Sequence, residues 1–224
     1  QLEKARSYYQ SVLKINGKHM QAQLALAQLA AQQGNDRAFM TWAEQAKRNN
    51  PNAFMPVNLL ANHYLQNKQL DKALNEALIY QTDHPEEVAA KSLLARIYLA
   101  KGEPQQAKYY LQEVIDNRPK DIVHRMQMVQ ILASEGQSED AMESVEQILS
   151  VDSVYLPALA AQVKLNISDK RYIKAEEQIE AIAESYPDSH VDKQLKGDLL
   201  AAQMQSDRAL DAYEQAFAIA RTPS

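Results

Sequence analysis

Cysteine is absent from the 224 residues, which excludes disulfides, thiolate metal sites and a cysteine nucleophile. Glycine is scarce. The five present, Gly17, Gly34, Gly102, Gly136 and Gly197, are too far apart to build a phosphate-cradling loop, and neither a Walker sequence nor a HExxH motif occurs. No run of 18 or more apolar residues is found, so no stretch reads as a membrane-spanning helix. Basic charge is not in excess either: 24 Lys+Arg against 29 Asp+Glu give a net charge of −5. Nucleic-acid binding, which draws much of its affinity from phosphate neutralisation, is therefore not expected. His19, His63, His84, His124 and His190 are scattered without metal-ligand spacing, and acidic pairs such as Glu86–Glu87 and Glu176–Glu177 fit solvated helix faces. The sequence thus predicts neither an enzyme nor a cofactor site.

What is present is a period. Ala5, Phe39, Ala73, Ala107, Ala141, Ala175 and Ala209 follow one another at a spacing of 34 residues. Pro51, Pro85, Pro119 and Pro187 keep the same phase, with Gly17, Ser153 and Arg221 in the remaining places of their column. A third column holds Gly34, Lys68, Gly102, Gly136, Lys170 and Met204. Three columns in one phase define an internal repeat.

The apolar residues inside each period recur at helical intervals, as in Leu93, Leu94, Ile97 and Tyr98, then Ala107, Leu111, Val114 and Ile115. Two helices of about a dozen residues with short connections fill such a period. Gly102 can take the left-handed conformation that closes a first helix, and Pro119 stops a second. The other prolines agree: Pro56 and Pro157 fall in first turns of first helices, Pro104 opens a second helix and Pro223 follows the last. Six antiparallel hairpins are predicted over residues 20–53, 54–87, 88–121, 122–155, 156–189 and 190–223. Residues 1–19 carry the pattern of a second helix alone, which reads as a truncated repeat of a longer array. One solenoid over 1–224, without a global core, is the expected organisation.

The units resemble tetratricopeptide repeats. Leu94, Ala95, Tyr98, Ala107, Leu111 and Pro119 fit that pattern in the third unit, Leu60, Ala61, Tyr64, Ala73 and Pro85 in the second, and Gly197, Ala209, Tyr213 and Ala216 in the last. The resemblance implies an all-α, right-handed superhelical solenoid of helix hairpins with a concave groove that binds a protein or extended peptide. It also implies that the second, fifth, sixth, ninth and thirteenth positions of the first helices line the groove. Those positions supply Met55, Asn58, Asn62 and Gln66, then Ser92 and Arg96, then Val123, Met126, Gln127 and Gln130, followed by Lys164 and Asp198. Amides suit hydrogen bonding to an extended backbone, and methionine adapts to varied side chains. The carboxylate clamp of chaperone-binding relatives is missing, because Leu24, Gln28, Leu59, Ala89 and Leu93 occupy its positions.

Some residues depart from the pattern. Gln162 and Asn166 stand in core columns of the fifth unit, and Lys193 and Lys196 in those of the sixth. Looser packing or altered curvature around residues 150–170 is one expectation from this; the preferred alternative is that Leu159, Val163 and Leu165 carry the fifth unit's core on a slightly rotated helix. Tyr8, Trp42 and Tyr110 share a column on the second helices, with Tyr9 and Tyr109 beside two of them. They are expected to pack between helices, or else to form a strip for sugar rings.

A narrower resemblance covers Ala183–Ser224. The YPDS junction, KGDLL and ALDAYEQAFAIA are similar to the tetratricopeptide lipoproteins of bacterial exosortase, PEP-CTERM and exopolysaccharide systems. That likeness implies an exported protein, periplasmic or anchored to the outer membrane, with polysaccharide as a possible partner. Without it a cytoplasmic site or a spacer role is the alternative.

Overall fold

A computed structural model describes residues 2–221. Among the described residues there are thirteen α-helices and no strand. α1 (Leu2–Ile15) precedes six hairpins: α2 (Met20–Gln32) with α3 (Asp36–Asn49), α4 (Phe54–Gln66) with α5 (Leu70–Asp83), and α6 (Val88–Lys101) with α7 (Pro104–Asn117). The remaining three are α8 (Ile122–Ser134) with α9 (Ser138–Val151), α10 (Leu156–Ser168) with α11 (Tyr172–Ser185), and α12 (Val191–Ala202) with α13 (Ser206–Ala220). The chain divides into two compact units, Gln1–Asn117 and Arg118–Ser224. Pro223, expected to follow the last helix, lies outside the described residues.

The turn inside each hairpin is the same six times over. Gly34, Gly102 and Gly136, but also Lys68, Lys170 and Met204, adopt the left-handed conformation, with φ between 55° and 74°. The residue after each sends its N–H back to the carbonyl five positions earlier, as in Asn35 to Ala30 (2.9 Å), Gln69 to Tyr64 (2.8 Å) and Arg171 to Asn166 (2.8 Å). This bond satisfies a carbonyl that the helix end would otherwise orphan, and it requires the left-handed residue between. Three repeats place a side chain there despite the steric cost, because the connection is too short for any other route.

Packing follows the small column. Ala73, Ala107, Ala141 and Ala175 are fully buried and Ala209 nearly so, which lets the two helices of a hairpin approach closely. In the first hairpin Phe39 fills that column and is buried, beside Ala27, Ala30 and Ala43. One repeat later the place of Ala30 is held by Tyr64, and two repeats later by Tyr98. The bulk has changed helix while the volume is kept. Phe39 also stacks on the His63 ring, with centroids 4.0 Å apart.

The fifth repeat keeps its core as expected, and adds to it. Val163 and Leu165 are buried and Leu159 half-buried. Asn166 is fully buried as well, and donates to Gln178 at 2.8 Å, while Gln178 donates to Gln162 at 2.8 Å. Asn166 and Gln178 stand where Tyr98 and Tyr110 stack two repeats earlier, at 5.7 Å between centroids. A hydrogen-bonded amide pair has replaced an aromatic pair at equivalent positions. In the sixth repeat Leu195 and Leu199 carry the core, while Lys196 pairs outward with Glu176 and Lys193 with Asp192.

Candidate protein-binding site

First helices of successive repeats leave hollows between them, and the side chains at those hollows follow from the register of the helical face. In the first unit a cavity of about 320 Å³ opens between α2 and α4. Met55, Asn58 and Asn62 line one wall with Leu59, and Gln21, Leu24, Ala25 and Gln28 line the other. Met55 is 57% exposed, a large apolar side chain offered to solvent at the rim. Asn62 donates through Nδ2 to Oδ1 of Asn58 at 3.1 Å, and accepts on its own Oδ1 from Nη2 of Arg96 at 2.6 Å. Asn58, Asn62 and Arg96 thus form a hydrogen-bonded row across α4 and α6. Partial burial withdraws water from the Arg96 guanidinium and lowers its pKa from the ordinary arginine value. Ser92 is half-buried on α6, one turn before Arg96, and Gln66 is exposed at the end of α4.

In the second unit a cavity of about 450 Å³ lies between α8 and α10. Met126 and Gln130 of α8 face Pro157, Ala160, Ala161, Lys164 and Ser168 of α10 across it. Val123 is 57% exposed and Gln127 half-buried, and neither lines this cavity. Asp198, farther on, accepts a hydrogen bond from the Tyr213 hydroxyl at 2.9 Å.

Sequence reasoning passed over Gln21 and Ala25 in the first unit, and Pro157, Ala160, Ala161 and Ser168 in the second. All six occupy the five positions from which the other candidates were drawn, so the period itself was the available signal. Small side chains give no chemical cue; they matter here because they leave space.

The aromatic column does not present a stack of open rings. Trp42 is half-buried against the cluster of Phe39, Ala43 and Leu60, and Tyr110 is half-buried against Tyr98. Tyr8 and Tyr109 are exposed, 64% and 59%. Among the described residues no group of three or more His, Asp or Glu side chains is placed to hold a metal ion, and no helix is long and apolar enough to cross a membrane.

Tandem helix hairpins closed by one repeated turn, with hollows on the faces of their first helices, define an all-α repeat protein of the solenoid class. The chain belongs to the tetratricopeptide repeat family, whose model matches residues 1–54 and 58–122, more than half its length. Solved structures agree on the fold. A tetratricopeptide repeat protein from Parabacteroides merdae is 14% identical over 97% of this chain and 86% of its own, with a TM-score of 0.68. PilF of Pseudomonas aeruginosa is 16% identical over 88% and 90%, with a TM-score of 0.67. YrrB, described as a TPR protein with an unusual peptide-binding site, is 16% identical over 79% and 91%, with a TM-score of 0.60. At these identities the likeness establishes the fold alone. A comparison with curated proteins finds no match. The fold is that of a protein-interaction scaffold.

Proposed function

We propose that this chain is a non-catalytic scaffold that holds an extended protein segment against the inner faces of its first helices. One observation carries the reading: in each unit a cavity is lined by the fifth and ninth positions of two successive first helices. The second and sixth positions join them from α2, α4 and α10. The contact residues are Met55, Asn58, Asn62, Gln66, Ser92 and Arg96 in the first unit, and Val123, Met126, Gln127 and Gln130 in the second. Amide side chains can pair with the backbone of an extended ligand, and Met55 and Met126 can mould to its side chains. YrrB, similar in fold, is described as having a peptide-binding site, which makes the same use of this chain reasonable.

The reading is tested by selecting displayed random peptides on the purified protein and recording methyl NMR spectra with the selected peptides. Shifts of the Met55 or Met126 methyl groups are expected. Selected peptides that move neither, or a failure to select any peptide, would remove the proposal.

A polysaccharide role in envelope assembly, implied by the likeness of Ala183–Ser224 to exopolysaccharide-system lipoproteins, would need an accessible aromatic platform. Trp42 is packed against Phe39, Ala43 and Leu60, and Tyr110 against Tyr98, so the first-helix faces are preferred.

A further inference from the structure

The first-helix faces are chemically biased in a way that the fold does not require. In the first five full repeats, none of the second, fifth, sixth, ninth or thirteenth positions of the first helix is Asp or Glu, although the chain has 29 acidic residues. Two of these positions are cationic, Arg96 and Lys164, both at the ninth place. Asp198 holds the ninth place in the sixth repeat, and its carboxylate is engaged by Tyr213.

Several cations elsewhere are neutralised by carboxylates, while the half-buried Arg125 is held by the amide oxygen of Gln147 and the carbonyl of Pro119. Lys47 pairs with Glu76 at 2.6 Å, Lys91 with Glu113 at 2.7 Å and Lys101 with Asp71 at 2.5 Å, and Lys196 pairs with Glu176. Arg96, on the exposed side of α6, is likewise held by a neutral acceptor. Its anchor is the neutral amide oxygen of Asn62, and among the described residues no carboxylate is paired with it. The anchor orients the guanidinium without cancelling its charge, so most of its five N–H donors remain for another acceptor. Neighbouring protein has already stripped part of its water, which strengthens any contact to an incoming anion. Lys164 is exposed at the wall of the second unit's cavity, which Met126 and Gln130 also line, and has no carboxylate partner among the described residues.

We infer that the segments these faces bind are acidic, with an Asp or Glu side chain meeting Arg96 on the face of the first unit, and likewise Lys164 on that of the second taken by itself, and apolar side chains entering the adjoining cavity of each. This rests on the scaffold reading above and adds the chemistry of the ligand. Side-chain carboxylates are the source, not a chain terminus. A terminal carboxylate needs several donors converging on one point, and the positions that would supply them hold Leu24, Gln28, Leu59, Ala89 and Leu93. The chain's own negative charge would otherwise repel such a ligand, which is why the absence of Asp and Glu from these positions, with a cation on each face, matters for choosing it.

The test uses the whole chain and random dodecapeptides displayed with their C termini fused to the carrier, so that only internal carboxylates are available. Peptides selected on the wild type should be enriched in Asp and Glu over the unselected library. A blocked synthetic copy of a selected peptide should lose about tenfold in affinity when its key Glu becomes Gln, the value of one charge-assisted contact. The enrichment should vanish on the Arg96→Gln/Lys164→Gln double variant and persist on Arg96→Lys, with helicity by circular dichroism unchanged in both. Selected peptides without acidic enrichment, or enrichment that survives the double variant, would overturn the inference while leaving the scaffold reading intact. So would selection that succeeds only in a parallel library with free C termini.

Discussion

Arg96 and Asn62 stand one full repeat apart and are joined by a 2.6 Å hydrogen bond from guanidinium to amide. The equivalence of their positions on α6 and α4 makes the bond possible, since successive first helices present the same face. The neutrality of the acceptor is what leaves Arg96 its charge. Asn62→Asp should therefore separate stability from binding. A carboxylate at 62 would neutralise Arg96 and raise stability by no more than about 1 kcal/mol, as for other exposed pairs. Asn58 can rotate its amide to donate to the new carboxylate. Affinity for an acidic peptide, measured by fluorescence anisotropy, should fall although nothing has unfolded. An unchanged affinity would show that Arg96 does not touch the ligand.

The left-handed turn column offers a stability test that is independent of function. Lys68, Lys170 and Met204 occupy a conformation that costs an L-residue about 1–2 kcal/mol relative to glycine. Lys170→Gly should raise the thermal midpoint, with a gain of about 1 kcal/mol once the greater freedom of the unfolded glycine is allowed for. Gly102→Ala should lower stability by a similar amount. A Cβ at Gly102 would meet nothing within 4 Å, so only the backbone conformation is at issue. Thermal unfolding followed by circular dichroism reads both.

Much of this fold is legible in the sequence because the 34-residue period repeats each structural demand several times. A small residue between paired helices, a left-handed residue at the turn and a proline after the second helix each mark a place where few residues fit. Relations between columns are harder to see. The exchange of Tyr98 and Tyr110 for Asn166 and Gln178 keeps a paired contact while changing its chemistry entirely, and scanned singly Asn166 reads as an error in the core. The candidate site divides in the same way. Met55, Asn58, Asn62, Met126 and Gln130 stand out as residues that packing does not explain, and each lines a cavity. Ala160 and Ala161 line one too, but alanine is what packing would choose anyway. The bond from Arg96 to Asn62 depends on side-chain rotamers that no periodicity specifies.

Phe39 tests whether bulk can cross from one helix of a hairpin to the other. Phe39→Ala should cost about 3–5 kcal/mol, since it empties a site buried among Ala27, Ala30 and Ala43. Adding Ala30→Tyr restores the arrangement of the next two repeats, Tyr64 with Ala73 and Tyr98 with Ala107, and should recover a large part of that loss. A double-mutant cycle by urea denaturation measures the coupling. Strictly additive effects would mean that the two columns do not share one volume.

Asp121 caps α8 and supplies a pH dependence of definite sign. Its carboxylate accepts from the backbone N–H of His124 at 3.1 Å and lies 2.8 Å from that residue's Nδ1. Burial alone would raise its pKa, but the bonds and charge of His124 outweigh burial and leave it below the ordinary aspartate value. The folded pKa lies under the unfolded one, so the contribution is fully present above the unfolded pKa and is lost as pH falls through the folded pKa. Asp121→Asn keeps a capping oxygen and gives up the charge. The variant should be less stable than the wild type at pH 7, by about 1 kcal/mol or less for a cap changed in charge alone. That gap should close in strong acid, where the wild-type carboxyl is protonated too. A gap that widened on acidification would contradict the assigned shift.

Gly197 and Tyr213 stand where Ala95 and Leu111 stand in the third repeat and Val163 and Ile179 in the fifth. A Cβ on residue 197 would lie 2.4 Å from Tyr213 Cε1, so the ring occupies space that only glycine leaves open. Tyr213 is also held by its hydroxyl, which donates to Asp198 at 2.9 Å. Glycine inside a helix is intrinsically unfavourable by about 1 kcal/mol relative to alanine, so by helix propensity alone Gly197→Ala should stabilise α12. The clash predicts the reverse. The ring must turn outward, giving up its packing and the bond to Asp198, and the net change should be destabilising by about 1–2 kcal/mol. In a Tyr213→Ala background the obstacle is gone, and Gly197→Ala should then stabilise by its helix propensity. The reversal of sign between the two backgrounds, read from thermal midpoints, distinguishes a glycine kept for its neighbour's ring from one kept for its backbone. The same sign in both would show that Tyr213 yields without cost.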